Sequence, residues 1–229
     1  MRSSGLTPPI RVVLDRLYAC HGRPQTDDEP DDVLATLVAT ILSQATTDKL
    51  STKSFGSLLD TFEADWHRIA HASPAEVIES IKYGGLSHRK GPRIQAILRQ
   101  TFERYGAYSL EHMHEADTSA AYKELMAMDG VGPKTASFVL MRAAKKPLFA
   151  MDTHILRLAR RLGWIEPKAS DASAHRAMLE HIPEGEHDSA HVVMIWHGRA
   201  LCHSRGPNCQ ACPLLELCPH GQRSAHAAA

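Results

Sequence analysis

Leu125-Met126-Ala127-Met128-Asp129-Gly130-Val131-Gly132-Pro133-Lys134-Thr135-Ala136 carries the reading of this chain. A helical stretch stops at a Gly-Val-Gly turn, and helix restarts at once with a proline, which the first turn tolerates because its missing N–H would be unpaired there. Gly130 and Gly132 allow the backbone to reverse tightly and to come close to a partner. The restarted helix points its free N–H groups outward, where a phosphate is well received. Taken alone, the pattern also fits an ordinary two-glycine connection between helices.

Outward from this hairpin, nearly every segment has helical periodicity. Ile10, Val13, Leu14 and Leu17 recur at helical spacing after Thr7-Pro8, with Thr7 as a candidate cap. Val33, Leu34, Leu37, Val38, Ile41 and Leu42 make a strong apolar stripe, and Ser73-Pro74-Ala75-Glu76 reads as a capping box, closed later by Gly84-Gly85. A loop is expected over 84–90. Helices are expected from about Lys90 to Tyr105, Thr118 to Met128, Lys134 to Ala144, Asp152 to Leu162, Asp171 to His181 and about Glu186 to Ala200. Two-residue alternation of β-branched residues is absent, so the fold class is all-α. A tail is expected at the C-terminus, from about residue 223 to 229.

At 229 residues and 43% hydrophobic content, the chain is long enough for one large domain or two modest ones. It has no run of about 18 apolar residues and no secretory leader pattern, so a cytoplasmic protein with no membrane role is expected, nucleoid-associated if bacterial. Formal net charge is zero, which argues against nucleic-acid binding through bulk positive charge. Its distribution is uneven. Acids gather at Asp27, Asp28, Glu29, Asp31 and Asp32. Lys82, Arg89, Lys90, Arg93, Arg99 and Arg104 face only Glu103, and Lys134, Arg142, Lys145, Lys146, Arg157, Arg160 and Arg161 face only Asp152. Such stretches are either solvated helix faces or, brought together, a phosphate-binding surface.

Eighteen residues after Lys134, Met151-Asp152-Thr153-His154 places a carboxylate at a helix N-cap position, where most aspartates do nothing but cap. GVGPKTA followed by MDTH nevertheless closely resembles the helix-hairpin-helix and catalytic aspartate of endonuclease III-type DNA glycosylases. The resemblance extends to ILSQATTD (Ile41 to Asp48), to GLSHRK (Gly85 to Lys90) and to the C-terminal cysteines, nearly the whole chain. It implies a two-domain helix-hairpin-helix glycosylase fold: residues 1–30 packing with a cluster domain, a helical barrel over 31–146, and an iron–sulfur domain over 147–222. It implies Lys134 as a nucleophile toward the sugar C1′ of a damaged nucleotide, with Asp152 activating the amine and stabilising charge on the sugar.

Cys202, Cys209, Cys212 and Cys218 follow the spacing C-x6-C-x2-C-x5-C. Four thiols suit one metal centre, but only Cys209 and Cys212 form the tight pair usual in structural zinc sites, and ferredoxin-type runs have shorter, more even gaps. By resemblance the four hold a 4Fe-4S cluster, fixing a loop that carries Arg199, His203 and Arg205. A structural zinc or two disulfides are the other readings. Cys20, alone on an apolar helix face, reads as a buried small hydrophobe.

An enzyme acting on a base inside a duplex must extrude the nucleotide and fill the gap. By resemblance Leu86 is a hydrophobic wedge; its other reading is a helix-capping contact. Ser43-Gln44-Ala45-Thr46 departs from the commonest family pattern, LLSAQATD, so that Ala45 takes the wedge position and Gln44 precedes it. Asp48 matches a residue that helps hold the active site. Gln44, Ala45, Leu86, His88, Lys90, Gly130, Gly132 and His154 form the implied DNA-binding set; His154 and His197 also suit packed structural roles. The implied function is a monomeric bifunctional glycosylase and abasic-site lyase acting on oxidised pyrimidines in double-stranded DNA. Its alternatives are a specialised abasic-site lyase and a non-catalytic DNA-binding module.

Overall fold

The computed structural model describes residues 7–26 and 31–226. Among the described residues there are twelve α-helices and no strand: α1 (Ile10–His21), α2 (Val33–Ser43), α3 (Asp48–Phe62), α4 (Trp66–His71), α5 (Pro74–Ser80), α6 (Ser87–Tyr105), α7 (Thr118–Met126), α8 (Pro133–Arg142), α9 (Thr153–Leu162), α10 (Asp171–His181), α11 (His187–Ala200) and α12 (Pro219–His226). Short 3₁₀ turns, Lys82–Gly84 and Glu111–His114, join α5 to α6 and α6 to α7. The all-α expectation is confirmed. None of these helices is long and apolar enough to cross a membrane. The chain divides into two compact units, Glu29–Lys146 and Met1–Asp28 with Pro147–Ala229.

In the Glu29–Lys146 unit, α2 is the centre. Val33, Leu34, Leu37, Val38, Ile41 and Leu42 are all fully buried, and Asp32 caps the helix by accepting the Ala35 N–H at 2.8 Å. Asp27, Asp28 and Glu29 of the acidic run lie outside the described residues. α2 packs against α3, α6 and α8. Burying six such aliphatic side chains contributes roughly 10 kcal/mol before chain entropy is charged against it. α3 escaped the periodicity reading because its inward face is built partly from serines: Ser51, Ser54, Leu58 and Phe62. Ser54 Oγ donates to the Ile81 carbonyl at 3.3 Å, and a Cβ on Gly84 would come within 2.9 Å of that hydroxyl. The small residues let the segments approach closely.

The capping box at α5 forms as expected, with Ser73 N–H donating to Glu76 Oε2 (3.0 Å) and Glu76 N–H to Ser73 Oγ (3.3 Å). The loop expected over 84–90 is shorter. Leu86 takes a left-handed backbone (φ 55°), so its carbonyl already accepts the N–H groups of Arg89 and Lys90, and α6 begins at Ser87.

In the other unit, α1 and α9 pack on α11, and α12 packs on α9. Val13, Leu14 and Leu17 of α1 are fully buried. Thr7 does not cap this helix: Pro9 stands at the N-cap with no side-chain bond, and the Pro8 carbonyl accepts from Trp164 Nε1 at 2.8 Å. Cys20 is exposed rather than buried: it continues the face of Val13 and Leu17, but it stands in the last turn of α1, past the last of its buried residues, Leu17. Where a tail is expected from 223, α12 carries helix through His226, with Ser224 Oγ bonded to the His220 carbonyl at 3.0 Å; residues 227–229 of that expected tail lie outside the described residues.

Candidate active site and cysteine loop

The hairpin between α7 and α8 is closed by Val131 N–H donating to the Met128 carbonyl at 3.2 Å. Gly130 has φ 73°, in the left-handed region, and a Cβ there would fall 2.0 Å from Nε of Arg93, whose side chain crosses the turn. Both conditions favour glycine. Gly132 differs: its φ is −96° and a Cβ would meet nothing within 4 Å, so nothing inside the chain demands a glycine there. As N-cap of α8 it supplies no side chain to the helix N–H groups, and Pro133 occupies the first helical position. Lys134 follows and is exposed, whereas Thr135 and Ala136 turn into the core.

The loop after α2 lies beside this hairpin. Gln44 Nε2 donates toward the Gly130 carbonyl (3.5 Å) and the Thr135 hydroxyl (3.4 Å), while Ala45 is exposed with φ 52°. A left-handed alanine costs roughly 1 kcal/mol, which the surrounding contacts must offset. Asp48 opens α3, which Thr47 caps through the Leu50 N–H. Leu86 is 51% exposed, against a purely internal capping role, and His88 is exposed next to it.

Lys90 corrects the DNA-contact expectation. It is only 2% exposed, and its Nζ donates to the carbonyls of Leu42 (2.8 Å) and Gly84 (3.2 Å). Burial lowers its pKa from the ordinary lysine value. It satisfies two backbone acceptors through buried hydrogen bonds, so it is not available to a phosphate. Other cations of the two basic stretches are likewise engaged internally: Arg93 with Asp129 at 3.4 Å, Arg99 with the Ala70 carbonyl at 2.8 Å, Arg142 with Asp31 at 3.3 Å, and Lys146 with the His114 carbonyl at 2.7 Å.

Asp152 belongs to the other unit, at the N-cap of α9. Its Oδ1 accepts the Ile155 N–H at 2.7 Å, and the residue is 8% exposed. The segment leading to it is held by two histidines that sequence reading did not single out. A ring nitrogen of His175 in α10 donates to the Phe149 carbonyl at 3.1 Å, and one of His191 in α11 donates to the Ala150 carbonyl at 3.0 Å. Their partners lie 26 and 41 residues away, so no local spacing signals them. His154 packs on Gly198, where a Cβ would come within 2.7 Å of the His154 Cβ and 2.9 Å of its Nδ1, and that Nδ1 accepts from Arg157 at 3.0 Å. Arg157 also donates to the carbonyls of Cys202 (2.8 Å) and Gly198 (3.0 Å). Its place three residues beyond His154 on the same helical face is the one sequence clue to that link.

Cys202, Cys209, Cys212 and Cys218 line one cavity together with Leu158, Leu201, Leu214 and Leu215. All are free thiols. Burial pushes the Cys212 thiol up to about 11 and the Cys218 thiol upward as well, and the charges of the neighbouring cysteines add to both shifts. Cys202 and Cys218 are buried, and Cys209 and Cys212 are half-buried. Two donors reach sulfur, Arg161 to Cys202 at 3.0 Å and Gly221 N–H to Cys218 at 3.4 Å, and Nε2 of His197 lies 3.6 Å from Cys212 Sγ. Arg161 also donates to the His203 carbonyl at 2.8 Å, tying down the loop. Among the described residues no three His, Cys, Asp or Glu side chains converge closely enough to hold a single metal ion.

The family described as HhH-GPD superfamily base excision DNA repair protein matches residues 38–184. Endonuclease III of Thermotoga maritima is 31% identical over 192 residues, covering 84% of this chain and 85% of that protein. A non-covalent endonuclease III–DNA complex has a similar fold, with a TM-score of 0.79 at 28% identity over 95% of this chain and 97% of that one. A trapped covalent endonuclease III–DNA intermediate gives 0.77 at 28% identity, over 94% and 97%. The hairpin, the capped aspartate and the helical architecture thus have one common account: this chain belongs to the HhH-GPD superfamily of base excision DNA repair proteins, as a glycosylase of the endonuclease III type.

Proposed function

We propose that the protein is a bifunctional DNA N-glycosylase and abasic-site lyase acting on oxidised pyrimidines in double-stranded DNA, with Lys134 as nucleophile and Asp152 as its acid–base partner. The observation that carries this is the exposed Lys134 at the second position of α8, directly behind an uncapped glycine hairpin. The covalent intermediate trapped for a relative of similar fold supports the same chemistry here.

The neutral amine of Lys134 attacks C1′ as the N-glycosidic bond breaks and its electron pair leaves with the base. The amine's proton passes to the Asp152 carboxylate. Opening of the sugar ring gives a Schiff base between Nζ and C1′. Loss of a C2′ proton then lets the C3′–O bond break, with the 3′ phosphate as leaving group, and water releases the enzyme. The uncapped N–H groups of α8, beside Gly132, receive a DNA phosphate, and Leu86, Ala45 and His88 reach the duplex. Gln44, whose amide bonds to the hairpin, acts by holding the α2 loop against it.

The four C-terminal cysteines hold a 4Fe-4S cluster in this reading. The donor set supports this: four thiols line one cavity, and N–H donors reach the sulfurs of Cys202 and Cys218. Bound there, the cluster supplies a cross-link among Cys202, Cys209, Cys212 and Cys218; with all iron positions taken by cysteine it offers no open site to substrate.

Borohydride trapping tests the reading. The purified protein is mixed with duplexes carrying an oxidised pyrimidine or a plain abasic site. Capture on both is the expected result. Capture on the abasic site alone overturns the glycosylase half and leaves a specialised lyase; no capture overturns the mechanism in favour of a DNA-binding module.

A further inference from the structure

His197 of α11 is fully buried, and both of its ring nitrogens have partners. Nε2 lies 3.6 Å from Cys212 Sγ, and Nδ1 lies 3.1 Å from Nε2 of His21, at the end of α1. The two rings meet edge to face, with centroids 5.3 Å apart. His21 itself is partly exposed. Three side chains from three distant stretches of sequence thus form one line, running from the partly exposed end of α1 to a cysteine sulfur.

We propose that His21 and His197 form a hydrogen-bond wire that holds an N–H donor on the Cys212 sulfur and so sets the reduction potential and oxidative lifetime of the cluster. The inference rests on the cluster reading above. A ligating thiolate only accepts, so His197 must present Nε2–H to it. A neutral ring then carries its lone pair at Nδ1, and a buried lone pair needs a donor, which His21 Nε2–H supplies. One pair of tautomers satisfies every atom. Donation to a ligand sulfur withdraws electron density from it and favours the reduced cluster, raising the potential. Without His21, the sulfur still favours Nε2–H, but the buried Nδ1 lone pair is left without a donor, and the ring is no longer held with Nε2–H on the sulfur. His21 is therefore a positioning residue, acting through His197.

The test uses His21→Phe and His21→Gln in the full chain, purified without oxygen. Gln keeps an N–H donor, whereas Phe keeps only ring bulk. Iron content, cluster potential by voltammetry, and the rate of iron loss to a chelator in air are measured, with the melting temperature as control. For His21→Phe the expected result is a more negative potential and about tenfold faster iron loss, with His21→Gln close to the parent protein. An iron-loaded parent whose potential and iron loss are unchanged in His21→Phe overturns the wire and leaves the cluster reading intact. Equal shifts in both variants, tracking a lower melting temperature, also overturn it, since that is a packing effect. A parent protein that purifies without iron or visible absorbance overturns the cluster reading and the wire with it.

Discussion

The starts of α6 and α8 look alike in sequence and differ in what they present. Each helix follows a residue with positive φ, Leu86 at 55° and Gly130 at 73°, each lacks a side-chain cap, and each carries a lysine in its first turns. At α6 the hydrophobic residue faces out and the cation faces in: Leu86 is 51% exposed and Lys90 is 2% exposed. At α8 the pattern reverses, with Val131 5% exposed and Lys134 on the surface. The lysine of α6 sits at the fourth helical position, above the end of α2, where the Leu42 carbonyl needs a donor. The lysine of α8 sits at the second position, on the side away from buried Thr135 and Ala136. Two residues of helical phase separate a brace from a candidate nucleophile.

Three substitutions press on that contrast. Lys134→Gln should lower strand cleavage at an abasic site by at least about a thousandfold and abolish borohydride capture. Because the residue is exposed, its melting temperature should stay near that of the parent; residual cleavage at the normal rate would show that another group is the nucleophile. Lys90→Met should do the reverse, costing about 3 kcal/mol of stability by stranding the Leu42 and Gly84 carbonyls. Denaturant unfolding measures this, and a loss below roughly 0.5 kcal/mol would mean that water reaches those carbonyls. Leu86→Ala has the smallest effect. Processing of a base paired in duplex DNA should slow by about tenfold, while an abasic site in single-stranded DNA, which needs no gap filling, should be cut as before. Equal slowing on both substrates would remove Leu86 from the wedge role.

Helices were legible wherever an apolar stripe was strong. α2 and α10 begin and end close to where periodicity puts them, and the capping box places the start of α5. α3 was not, because Ser51 and Ser54 occupy its inward face, and serines carry no hydrophobic signal. The start of α6 was misplaced by three residues because nothing in Leu86 announces a left-handed backbone. Lys90 was misassigned for a related reason: charge reads as surface until a buried carbonyl claims it. Cys20 differs in the opposite sense, an apolar type on the inward stripe of α1 that is exposed because it stands in the last turn of the helix.

The sequence by itself determined the helical class, the glycine hairpin with its lysine, the capped aspartate and the cysteine spacing. Each of these rests on residues close together in the chain, where local geometry restricts the outcome. Only the tertiary structure decided which lysine is buried, how Gln44 reaches the hairpin, and that His175 and His191 hold the approach to Asp152. It alone aligned His21, His197 and Cys212, the two rings being 176 positions apart in sequence. Those pairings depend on how helices are rotated and stacked, and that rotation is set by the packing of the whole core rather than by any neighbouring residue.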